Sequence, residues 1–74
     1  MLPMRLARIL GGNVRRLRKA GGLSQEDLAA RVGIDMRYLG GIERGQENPS
    51  LGVLEQIAKA LDVTVIALLT DGNA

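Results

Sequence analysis

Residues 25–42 read Gln25-Glu26-Asp27-Leu28-Ala29-Ala30-Arg31-Val32-Gly33-Ile34-Asp35-Met36-Arg37-Tyr38-Leu39-Gly40-Gly41-Ile42, and two helical stretches meet in them at a single glycine. Two helices that cross at a tight turn need particular residue types at fixed offsets. A small residue must stand midway along the first helix, where the second crosses it, and Ala29 does. The turn needs a backbone position open to positive φ, and Gly33 supplies it. Apolar groups must face a common core, and Leu28, Val32, Ile34, Leu39 and Ile42 occupy those slots. This is a helix-turn-helix pattern, spanning about residues 24–44, with each diagnostic slot filled.

Outward from that segment, Ser24 is a good N-cap for the first of the two helices. Glu26 and Asp27 stand in its first turn, and Leu23 can staple against Leu28. Asp35 caps the second helix, which runs to about Arg44 and stops at Gly45. Before the pair, Leu6, Ile9, Leu10, Val14 and Leu17 recur at three- and four-residue spacing, one stripe of a helix closed by Gly21-Gly22. After it, the loop 46–49 leads to Ser50, which caps a fourth helix with Leu51, Leu54, Ile57, Ala58 and Leu61 at helical spacing. Thr64 caps a short fifth helix, Val65 to Leu69, and residues 70–74 read as a frayed tail. The fold class is therefore all-α, with five helices in one domain over residues 1–74 and no strand.

Composition narrows the function. Chains of 74 residues bury only about 60% of their unfolded surface, so stability must come from packed helices and self-association. Neither cysteine nor histidine is present, which removes disulfides, the usual zinc ligands and the usual nucleophile–base pairs. No glycine-rich phosphate loop or paired carboxylates are visible, so an enzyme is not expected, nor a metal, cofactor or small-molecule ligand. The apolar runs are too short to span a bilayer and the N-terminus is not a signal peptide, which points to the cytoplasm. The net charge of +2 hides an asymmetry: residues 1–22 carry Arg5, Arg8, Arg15, Arg16, Arg18 and Lys19 without an acid. Such a cluster suits a polyanion as well as it suits a solvated helix face.

From about residue 9 to residue 69 the chain resembles the Cro/repressor-like family, also called the Xre family. The resemblance rests on Val14-Arg15-Arg16-Leu17-Arg18, Gly22-Leu23-Ser24-Gln25-Glu26-Asp27-Leu28-Ala29, the run Ile42-Glu43-Arg44-Gly45-Gln46-Glu47-Asn48-Pro49-Ser50-Leu51, and Ile57-Ala58-Lys59-Ala60-Leu61-Asp62-Val63. The stretch Tyr38 to Arg44 also looks like that of the small controller proteins of restriction–modification systems. The resemblance implies a five-helix repressor-like DNA-binding domain whose third helix is the recognition helix.

It also implies roles. Ser24 and Gln25, at the start of the second helix, match positions that bond DNA phosphate, where free backbone N–H groups favour the same anion. A plain helix-start role for Gln25 is the alternative. On the third helix, Arg37, Gly41 and Arg44 fall on one outward line, with Met36 and Gly40 beside it. Arg37 is placed to read guanine and Met36 to pack on a thymine methyl, unless Arg37 is a solvated residue paired with Glu47. Tyr38 reaches a phosphate with its hydroxyl or fills the core edge. The glycines at 40 and 41 depart from the common pattern of polar readers. They imply either close approach of the helix backbone to DNA or a tight helix crossing. Arg44, Asn48 and Ser50 match backbone-gripping positions, whereas Gln46 and Glu47 stand where basic residues are common, and Glu47 repels phosphate. Arg18 and Glu43 match a family ion pair that holds the recognition helix at its angle.

A lone subunit makes few phosphate contacts, so a homodimer on a pseudo-palindromic double-stranded site is expected. Val63, Val65, Ile66, Leu68 and Leu69 are many apolar groups for one small face, so residues 50–69 are expected to serve both core and dimer. Closure of the monomer's own core is the alternative reading. A rival of another class is a protein-interaction module, antitoxin-like, built on the same fold.

Overall fold

The computed structural model describes residues 2–72 and contains α1 (Met4–Ala20), α2 (Gln25–Val32), α3 (Met36–Glu43), α4 (Leu51–Leu61) and α5 (Val65–Leu69). No strand occurs among the described residues. Each helix after the first begins on a side-chain cap: Ser24, Asp35, Ser50 and Thr64 accept from backbone N–H groups of Asp27, Arg37, Val53 and Ala67. At α2 the arrangement is reciprocal, because Asp27 also accepts from the Ser24 N–H. Those bonds from Ser24, its backbone N–H first and its hydroxyl second, hold the Asp27 carboxyl below the usual carboxylate range.

Gly33 takes φ +82 and hands its N–H to Ala29, so the chain reverses direction between α2 and α3 within three residues. The fully buried side chains are Leu10 and Val14 of α1, Leu28 of α2, Leu39 and Ile42 of α3, Leu54 and Ile57 of α4, and Leu68 of α5. Ala29 and Ala58 complete the cluster, with Val32, Ile34 and Tyr38 packed on its edge. α1 lies across α3 and α5, while α2 packs on α3 and α4.

Three features depart from the sequence expectations. Leu51 is 74% exposed although it continues the α4 stripe; at the first turn no neighbouring helix reaches it. Residues 70 and 71 do not fray. Asn13, buried in α1, donates to the carbonyls of Ala67, Leu68 and Thr70, and Asp71 pairs with Arg5 at 3.3 Å. The remainder of the expected tail, residues 73–74, lies outside the described residues. The tight crossing, finally, is made by a glycine of α1. A Cβ on Gly11 would strike the carbonyl oxygen of Ile42 and stand 2.6 Å from that of Glu43.

Candidate nucleic-acid interface

The angle of α3 is held by one ion pair. Arg18 of α1 and Glu43 at the last turn of α3 are both nearly sequestered from solvent. They meet through Nε to Oε2 at 2.7 Å and Nη2 to Oε1 at 3.1 Å. The guanidinium's Nη1 donates to the carbonyl of Leu23 at 2.8 Å, so it is fixed to the α1–α2 connection as well. The bond to Glu43 pushes the Arg18 pKa further up, so the charge is permanent. Gln25 joins this cluster, its Nε2 donating to Glu43 Oε1 at 3.1 Å. A carboxylate only accepts, so the amide nitrogen must face it, and the second amide hydrogen stays uncommitted.

In front of this cluster lies an open groove lined by Arg15, Ser24, Gln25, Glu26, Met36, Gly40 and Arg44. Its floor is the Arg18–Glu43 pair. Ser24 accepts the Asp27 N–H in its capping role, and its hydroxyl also faces the Asp27 carboxylate. Arg44 spends its Nε on Gln46 and keeps its remaining donors. Among the basic residues of α1, Arg15 belongs to this groove together with Arg18. Its neighbour Arg16 faces the other way, toward Asn13.

The outward line on α3 needs correction at Gly41, which was expected to face the bases. Gly41 is buried, because the side chain of Glu47 lies across it; a Cβ there would stand 2.6 Å from Glu47 Cγ. Gly40 is buried too, beneath Arg44, whose Nη1 lies 3.1 Å from the corresponding Cβ position. The glycine pair therefore serves neither a helix crossing nor, in this state, a bare backbone. Each glycine is a seat for a charged side chain from beyond the helix end. Arg37 is exposed and has no ion pair, with Glu47 or any other described residue. Met36 is 47% exposed. Tyr38 packs half-buried on the core edge, its hydroxyl without a partner among the described residues. Asn48 accepts the Leu2 N–H at 2.8 Å, which ties Leu2 to the loop, and its amide nitrogen has no partner among the described residues.

The expected dimer residues divide. Leu68 is fully buried, and Val63, Val65 and Leu69 pack partly on the core. Ile66 stands 77% exposed.

Helix, left-handed glycine turn, and a second helix buttressed by an ion pair with donors ranged before it define the helix-turn-helix class. The chain belongs to the helix-turn-helix family, Xre type, whose model matches residues 14–68. It is 43% identical over 67 residues to the control protein C.SmaI of Serratia marcescens, covering 90% of this chain and 80% of that one. The crystal structure of the restriction-modification controller protein C.AhdI from Aeromonas hydrophila is 47% identical, with a TM-score of 0.80 over 84% of this chain and 94% of that one. The master regulator for biofilm formation SinR, solved in complex with DNA, is 39% identical with a TM-score of 0.78, covering 82% and 98%.

Proposed function

We propose that this protein is a transcriptional regulator that binds a pseudo-palindromic double-stranded DNA site as a homodimer. The observation that carries the reading is the groove before α3, where uncommitted donors from three helices surround a recognition helix held by a buried ion pair. In this reading Ser24, Gln25, Arg44 and Arg15 bond phosphates on one strand, with Tyr38 and Asn48 gripping the backbone at the flanks. Arg37, uncommitted and at the first turn of α3, donates to guanine O6 and N7, and Met36 packs on a thymine methyl. Gly41 contributes no reading group of its own.

Val63, Val65, Ile66 and Leu69 form the contact with the second subunit, and the exposure of Ile66 supports this face. The protein acts in the cytoplasm without catalysis, and no helix among the described residues is long and apolar enough to cross a membrane. The exposed Ile66 also suits a module that docks another protein, and one experiment separates the two. Selection from a random DNA pool, followed by affinity against salt, should return a two-fold motif. Affinity should fall steeply as salt rises. A docking module would enrich no sequence and show no slope.

A further inference from the structure

Glu47 is an acid in the loop just past the end of α3, beside the groove rather than in its lining, and its position has a structural cause. Its side chain lies on the bare Cα of Gly41, where a Cβ would stand 2.6 Å from Cγ and 3.3 Å from Cδ. The residue is exposed, and its carboxylate has no hydrogen bond or ion pair with any described residue. Position 41 lies one turn beyond Arg37 on α3, on the aspect where a recognition helix carries its readers. The loop thus delivers, to the space that a side chain at 41 would fill, a group that can only accept.

We propose that Glu47 reads an exocyclic base amine in the major groove, cytosine N4 foremost, in place of the side chain α3 lacks at Gly41. The proposal rests on the DNA-binding reading above. Cytosine N4 and adenine N6 are the donors of the major groove, and carboxylates pair with cytosine there. Opposite guanine O6 or thymine O4 the same carboxylate meets another acceptor within the phosphate field, so wrong bases are rejected by repulsion. A negative charge on this surface weakens binding to all DNA. Only at the correct base is that loss offset, so it is spent on discrimination.

The test is random-pool selection with the wild type, Glu47→Ala and Gly41→Ala, alongside affinity for random DNA. The wild type should prefer cytosine at one position in each half-site, by roughly tenfold. Glu47→Ala should keep the rest of the motif, lose that preference and bind random DNA more tightly. Gly41→Ala displaces the side chain without removing its charge, and should lose the same preference without that gain. A wild-type motif surviving both substitutions, with affinity rising equally on every sequence in Glu47→Ala, overturns this inference alone. A wild type that enriches nothing overturns the functional reading and this inference with it.

Discussion

Arg18 and Glu43 show what single side chains do here. Replacing a buried ion pair with apolar groups is often harmless, but removing one partner strands the other's charge. Glu43→Ala leaves the Arg18 guanidinium and the Gln25 amide facing an empty site and should lower stability by about 3 kcal/mol or more. Chemical denaturation measures it, and a loss below about 1 kcal/mol would mean that water reaches the pair. Arg15 belongs to the same scale but to binding. Arg15→Ala should weaken binding uniformly across DNA sequences and reduce the slope of log K against log salt by about one. An unchanged slope would place Arg15 off the duplex. The residue-level reading of the sequence reached Arg18 and Glu43 through resemblance and the four caps through local chemistry. It missed the Gly40 and Gly41 seats because their occupants come from the far side of the helix end. No spacing rule reports where Arg44 and Glu47 fold back.

Among the helices, the crossing of α1 over α3 depends on Gly11 having no side chain, whereas nothing lies within 4 Å of a Cβ at Gly12. The two neighbours should therefore answer the same substitution oppositely. Gly12→Ala should stabilise by about 1 kcal/mol through helix propensity, and Gly11→Ala should destabilise by about 1–3 kcal/mol through overpacking. Paired thermal melts decide it; equal shifts would show that the crossing is loose. The start of α2 carries a pH dependence. Asp27 binds its proton less readily when folded than when unfolded. Its contribution is thus present above the ordinary carboxylate range and lost as pH falls through the lowered folded value. Amide exchange at residues 24–27 should quicken, after correction for intrinsic rates, only at that acid end, and Asp27→Asn, which has no carboxyl to titrate, should abolish the change. Helix existence was legible because caps, glycine stops and apolar stripes are local. Leu51 misled because periodicity says which face a residue shares, not how far the neighbouring helix extends. Asn13 was silent for the opposite reason: a polar residue inside a basic helix gives no sign that three carbonyls of another helix end beside it.

For the molecule as a whole, the proposed function turns on pairing. A structure of 28 × 22 × 19 Å presents one α3, and reading a two-fold site through that helix needs two of them about 34 Å apart. Ile66→Asp changes an exposed position, so monomer stability should move by no more than about 0.5 kcal/mol. Sedimentation equilibrium should nevertheless shift from dimer to monomer, and binding to the selected site should weaken. A dimer that persists would put the contact elsewhere. The general architecture followed from the central motif, yet which apolar groups of α5 enter the core and which stay exposed did not. Leu68 and Ile66 are chemically alike and two residues apart, and only three-dimensional packing separates them.

The bond from the Leu2 N–H to Asn48 makes the leading end of the chain a neighbour of the loop behind the recognition helix. A fluorophore carried there would sit beside Asn48, one of the groups proposed to grip the DNA backbone, and close enough to feel that loop being seized. Its anisotropy or quenching would then supply a binding signal from unlabelled operator. By the same connection, a bulky affinity handle at that end would load the loop, and its removal before measurement is good practice.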